Sequence, residues 1–144
     1  MSVAALFTWM ATVLAGLVLL VIWLMEYDRD FQTVAATRLP VPVISTHALL
    51  GAGGLMLWGF YLVTDDDPLA YATVVALGIV AVLGLVMAAR WIGVYRKVAA
   101  PGPSLTRQAI VPPERNFPLP VVIIHGVLAV TTLVLVLLTA LGVG

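Results

Sequence analysis

The chain has 144 residues and no net charge, and 62% of its residues are hydrophobic, against about 45–50% in soluble domains. It contains no cysteine, which excludes disulfides, thiolate metal ligands and thiol catalysis. The balanced charge gives no sign of nucleic-acid binding, and no catalytic triad, phosphate-binding loop or metalloprotease motif indicates a hydrolase. These properties predict a single-domain protein of the lipid bilayer.

Four apolar segments are long enough to cross a hydrocarbon core of about 30 Å as helices. They lie at about 4–25, 41–63, 68–92 and 119–142. The first lacks the basic start and the cleavage site of a signal peptide, so we expect it to remain as a membrane helix. A short acidic turn at 65–67 joins the second segment to the third. The sequence therefore predicts an all-α, four-helix transmembrane bundle with up-down-up-down topology.

The distribution of basic residues predicts how the helices are oriented. All seven basic residues lie in or beside the first and third connections, whereas the second connection carries three aspartates and no base. The positive-inside rule therefore places the first connection and the loop at about 93–118 in the cytoplasm, with both termini outside. We expect a multi-pass protein of a prokaryotic-type cell membrane.

Two motifs occur twice in the chain. Residues 40–47 and 118–125 both read Pro-x-Pro-x-x-x-x-His, and each copy opens an apolar segment. Residues 23–29 and 91–97 both read Trp-x-x-x-Tyr-x-basic. We interpret the pattern as two tandem helical hairpins, helices 1–2 and helices 3–4, in the same orientation. A shared aromatic belt at the membrane interface is an alternative explanation for the second motif.

The repeated proline motif carries the only two histidines, His47 and His125. The prolines suit the first turn of a helix, where the backbone N–H groups are unpaired anyway. Each histidine then lies roughly 7–10 Å inside its helix, at the same depth near the cytoplasmic surface. Parallel helices of such a bundle occupy diagonal corners, about 13 Å apart. Inward-pointing imidazoles across this gap leave room for one metal ion or for the iron of a haem.

The number of available ligands favours a haem. Zinc normally takes three or four protein ligands, and the spans offer no carboxylate or thiolate at the depth of the histidines. A haem needs only two axial ligands from the protein. We therefore predict one b-type haem between His47 and His125. Structural histidines satisfied by a backbone carbonyl or by water, and histidines that relay protons, are the alternatives.

Four further residues belong to the predicted site. Gly51 and Gly54 share the helical face of His47 and leave volume for a flat ligand, although small residues also permit close helix packing in membranes. Arg38 and Arg115 precede the two histidines by nine and ten residues, which suits a contact with the haem propionates. The positive-inside rule would place arginines there in any case.

These features predict a membrane electron-transfer protein or subunit that exchanges electrons with a quinone or a redox partner protein at the cytoplasmic side. A non-enzymatic accessory or assembly subunit of a larger, respiratory-type membrane complex, with structural histidines, fits the sequence equally well, as does a homo-oligomer. A transporter or proton pathway is less well supported, because the spans contain no Asp or Glu.

Overall fold

The computed structural model describes residues 1–30, 37–99 and 112–143, and all regular structure in these ranges is helical. The elements are α1 (Ser2–Asp30), α2 (Val41–Thr64), α3 (Asp67–Ala99), a 3₁₀ turn (Pro113–Asn116) and α4 (Leu119–Ala140). Each of the four long helices contains a stretch that is long and apolar enough to cross a membrane. The predicted all-α bundle with four candidate membrane helices is confirmed.

Two of the helices extend further toward the basic end than the predicted spans. α1 continues to Asp30 and α3 to Ala99, so α3 occupies the beginning of the loop predicted at 93–118. No proline interrupts either extension. In both, aromatic rings four residues apart meet along the helix surface, with centroid distances of 4.7 Å for Trp23–Tyr27 and 5.2 Å for Trp91–Tyr95.

α2 and α4 begin in the same way. Pro40 and Pro118 are the N-cap residues with extended backbone, and Pro42 and Pro120 occupy the second helical position. The carbonyl of each N-cap proline accepts two backbone amides of the first turn, at 2.9–3.2 Å. The four prolines therefore lie where no helical hydrogen bond is lost, as the repeated motif predicted.

The bundle consists of two closely packed helix pairs. α1 packs most extensively against α4, and α2 against α3, while the contacts of α1 with α2 and of α3 with α4 are less extensive. Among the described residues, α2 and α4 have no Cα atoms within 8 Å of each other, so the two histidine-bearing helices are not neighbours. The tightest pairs differ from the units of the sequence repeat, which are helices 1–2 and helices 3–4.

Buried side chains form two clusters at different heights in the bundle. One consists of Ala5, Trp9, Trp58, Ala70, Leu77 and Val136, and the other of Trp23, Leu39 and Ile44. The indole N–H groups of Trp58 and Trp23 donate to the carbonyl of Ser2 at 3.1 Å and to the hydroxyl of Thr37 at 3.2 Å. On α2, His47 lies between Ile44, which belongs to the second cluster, and Trp58, which belongs to the first.

Candidate functional site

The structure brings the two histidines together inside the bundle. The ring centroids of His47 and His125 are 6.2 Å apart, and the ring planes are inclined by 61°. Both side chains are half-buried. Each ring hydrogen-bonds to a backbone carbonyl of a helix beside it, and no hydrogen bond between the two rings occurs among the described residues.

These carbonyl contacts indicate which ring nitrogen of each imidazole carries a proton. Nδ1 of His125 lies 2.9 Å from the carbonyl oxygen of Thr12 on α1, and Nδ1 of His47 lies 3.0 Å from that of Val80 on α3. Because a carbonyl oxygen only accepts hydrogen bonds, Nδ1 carries the proton in both rings. In the neutral imidazole, Nε2 is then left with a lone pair that can bind a metal or accept a hydrogen bond.

Two glycines allow the imidazoles to lie directly against the neighbouring helices. A Cβ atom on Gly16 would lie 2.9 Å from Cε1 of His125, and a Cβ atom on Gly84 would lie 3.2 Å from Cε1 of His47. Both distances are shorter than the roughly 3.5–4.0 Å of an ordinary carbon–carbon contact. A side chain at position 16 would therefore force the ring of His125 to shift, and one at position 84 would require a smaller shift of His47.

We call each combination of a carbonyl and a glycine an imidazole socket. Thr12 and Gly16 form the socket on α1, and Val80 and Gly84 form the socket on α3. In both sockets the glycine follows four residues after the carbonyl, on the same face of the helix. Sequence reasoning missed both sockets. Their signal is a repeated spacing, since each glycine precedes the tryptophan of the Trp-x-x-x-Tyr motif by seven residues.

Gly51 and Gly54, which we predicted to leave volume beside His47, have different surroundings. A Cβ atom on Gly51 would have no atom within 4 Å, whereas one on Gly54 would lie 2.9 Å from the indole of Trp9. Gly54 is buried and Gly51 is half-buried. The space at Gly54 is therefore taken by a core side chain, and only Gly51 borders open volume on the histidine face of α2.

The two predicted arginines are exposed at the basic end of the bundle, and no hydrogen bond between either of them and an imidazole occurs among the described residues. Arg38 precedes α2, and Arg115 lies in the 3₁₀ turn. Arg38 also lies beside Arg90 of α3, whose Nη1 donates to the carbonyl oxygen of Arg38 at 3.1 Å.

Glu114 links the segments that carry the two arginines. Its side chain is fully buried. One carboxylate oxygen accepts the backbone N–H of Arg38 at 2.6 Å, and the other accepts the hydroxyl of Thr37 at 3.1 Å. The sequence analysis did not single out Glu114. Its position as the one carboxylate between the proline pairs 112–113 and 118–120 could have marked it as a structural residue. Glu114 fixes the approach to α2 against the approach to α4.

Comparison of the chain with protein-family models, with curated proteins and with solved structures finds no match. The chemistry of the site therefore follows from its own geometry. In the described ranges, no group of three or more His, Asp or Glu side chains could hold a metal ion together. The donors present are two imidazoles, each of which offers an Nε2 lone pair when the ring is neutral.

The separation of the rings is close to that of two imidazoles that share one metal. If both rings bind through Nε2 from opposite sides, with metal–nitrogen bonds of about 2 Å and roughly 1.1 Å from Nε2 to the ring centroid, their centroids are about 6.3 Å apart. The observed distance is 6.2 Å. Two donors match a haem iron, which takes two axial ligands from the protein, better than zinc, which normally takes three or four.

Proposed function

We propose that His47 and His125 are the axial ligands of one b-type haem and that the protein is an electron-transfer component of a membrane. The observation that carries this proposal is a pair of imidazoles protonated at Nδ1 whose ring centroids are 6.2 Å apart. A bis-histidine haem supplies one-electron transfer and has no open position for oxygen.

The chain's own residues would hold and orient this group. Metal-ligating histidines usually donate their other ring N–H to a carbonyl or carboxylate, which fixes the ring and raises the basicity of the ligating nitrogen. The carbonyls of Thr12 and Val80 are in place to do so. His47 and His125 also belong to different tight helix pairs, so they face each other where helix packing is less extensive.

We further propose the membrane arrangement that accompanies this function. The helices run up-down-up-down as two tandem hairpins, with both termini outside and the haem near the cytoplasmic face. The location of the basic residues at one end supports this orientation. A quinone or a redox partner protein would then exchange electrons at the cytoplasmic side. The propionate contacts predicted for Arg38 and Arg115 remain part of the proposal, and both side chains are exposed at that end.

The test is an absorption spectrum of the purified, detergent-solubilised protein before and after reduction with dithionite. We expect a sharp Soret band and well-resolved visible bands on reduction, all lost in His47→Ala and in His125→Ala. Gly78→Ala is the matched control, because a Cβ atom there has no atom within 4 Å, and it should retain the spectrum. A wild-type protein that stays colourless after expression with added haem would overturn the proposal.

One observation favours a second function, that of an accessory or assembly subunit of a larger membrane complex with structural histidines. The same Nδ1 hydrogen bonds join α4 to α1 and α2 to α3, which are the tightest helix pairs. Interhelical hydrogen bonds in membranes contribute about 0.6 kcal/mol on average. A structural subunit should therefore be colourless, lose little stability on substitution of one histidine, and co-purify in fixed stoichiometry with larger partners.

A further inference from the structure

A second polar feature lies at the basic end of the bundle, outside the histidine site. A cleft of about 370 Å³ is lined by Thr37, Arg38, Pro40, Ala89, Arg90 and Gly93. We call it the arginine cleft. The hydrogen bond from Arg90 Nη1 to the carbonyl oxygen of Arg38, at 3.1 Å, holds the arginine of α3 against the segment that leads into α2. Two arginines from different elements thus line one cleft.

None of the described residues that line the arginine cleft is acidic. The hydrogen bond of Arg90 in the cleft goes to a carbonyl oxygen and leaves its positive charge without a carboxylate in the lining. Glu114 contacts the same segment, but its side chain is fully buried and its oxygens accept the N–H of Arg38 and the hydroxyl of Thr37. An anionic group from outside the chain would complete the cleft.

The position of the arginine cleft along the helices identifies the kind of anion. The stretch of α2 that can span a membrane begins at Val41, and that of α3 ends at Arg96. Arg38 precedes the α2 span, and Arg90 lies in the last turns of the α3 span with its guanidinium bonded to the carbonyl of Arg38. The cleft therefore lies at the end of the candidate spans, where lipid headgroups begin. The rest of the lining is small and largely apolar, and a Cβ atom on Gly93 would have no atom within 4 Å. The lining thus combines two arginines, which suit a phosphate group, with an open apolar surface. The apolar surface suits the glycerol and acyl chains that the phosphate of a lipid carries.

We propose that the arginine cleft binds the phosphate group of an anionic phospholipid in the leaflet at the basic end of the bundle. Planar guanidinium groups bind phosphate oxygens through paired, charge-assisted hydrogen bonds. Basic pockets between transmembrane helices at the cytoplasmic side are typical sites for anionic headgroups. The bound lipid bridges the start of α2 and the last turns of α3.

The experiment is native mass spectrometry of the detergent-solubilised protein with equal amounts of phosphatidylglycerol and phosphatidylcholine. The wild type is expected to retain phosphatidylglycerol preferentially. Arg38→Gln and Arg90→Gln should each lower this preference about fivefold, and the double variant should abolish it. The control is Arg96→Gln, which removes the same charge as either single variant from an exposed arginine at the same end but outside the cleft. This control should retain the preference.

Three outcomes would overturn the proposal. An equal loss of preference in Arg96→Gln and in the two single variants of the cleft would reduce the effect to overall positive charge. Displacement of the lipid by millimolar inorganic phosphate would assign the cleft to a soluble phosphate compound. A loss of haem from Arg38→Gln/Arg90→Gln, with lipid preference unchanged, would assign the cleft to the haem propionates. Circular dichroism checks that each variant folds, and Arg38→Lys/Arg90→Lys, which keeps the charge but not the planar fork, should show an intermediate preference.

Discussion

Gly16→Ala is the substitution that tests the imidazole sockets most directly. The new Cβ atom would lie 2.9 Å from Cε1 of His125, whereas an ordinary carbon–carbon contact needs about 3.5–4.0 Å. The ring therefore has to retreat by roughly 0.5–1 Å. The hydrogen bond from Nδ1 to the Thr12 carbonyl, now 2.9 Å long, would stretch to the limit of hydrogen-bonding distance. We expect the ring to leave its carbonyl.

The expected free-energy changes decide which measurement can detect this displacement of the ring. Loss of the hydrogen bond costs about 0.5–1.5 kcal/mol, but replacing glycine by alanine inside a helix gains about 0.5–1 kcal/mol. The net change in the free energy of unfolding is therefore close to zero, and thermal melting is a poor reporter. The environment of the imidazole nitrogens changes directly. Because the protein contains only two histidines, a sample labelled with ¹⁵N-histidine gives one set of ring resonances for each.

We expect Gly16→Ala to shift the ring resonances of His125 and to lower the haem content. Gly84→Ala should act on His47 in the same way but less strongly, because its Cβ atom would lie 3.2 Å from the ring. Gly78→Ala, with no atom within 4 Å of its Cβ, should leave both sets of resonances unchanged. If the His125 resonances of Gly16→Ala coincide with those of Gly78→Ala, Gly16 does not position the His125 ring as we infer.

Two further substitutions test the surroundings of the site by thermal melting in detergent. Gly54→Ala should destabilise the protein by about 1–3 kcal/mol, because its methyl group overlaps the indole of Trp9 in the core. Gly51→Ala should not destabilise the protein, because its methyl group meets no atom within 4 Å. Equal loss of stability in Gly51→Ala and Gly54→Ala would contradict the view that only Gly54 is packed against the core. Glu114→Ala removes the buried carboxylate that accepts the partly buried N–H of Arg38 and should cost about 1–3 kcal/mol. Glu114→Gln keeps an acceptor oxygen and should cost less, so identical melting temperatures for the two variants would argue against this role of the hydrogen bond.

The features that the sequence predicted correctly depend on local chemistry. Length and apolar composition determine the four candidate membrane helices, because a segment of about 20 apolar residues has few other ways to satisfy its backbone in lipid. Proline at the second position of α2 and α4 follows from its missing N–H. Since His47 and His125 follow their proline pairs at the same spacing, their similar depth could also be predicted.

The helix pairing and the sockets could not be predicted in this way. In a bilayer, both the lipid-facing and the buried faces of a helix are apolar, so the sequence does not mark which face meets which neighbour. The contacts that hold His47 and His125 are with backbone carbonyls, which every residue has. The helical period places Gly54 on the face of His47, but the sequence could not show that the indole of Trp9 from α1 packs against this glycine.

The sockets explain why the closest helix pairs cross the units of the sequence repeat. His47 belongs to the first repeat but contacts α3 of the second, and His125 belongs to the second but contacts α1 of the first. Gly16 and Gly84 are separated along the chain by the same distance as Trp23 and Trp91, so the sockets keep the register of the repeat. This reciprocal exchange is the pattern of an interface between two equivalent subunits, in which each side contributes the same two elements. Each imidazole lies in a socket of the other repeat, so the histidine pair forms only when both repeats pack together. The contacts of α1 with α4 and of α2 with α3 are therefore the ones that position the histidine pair.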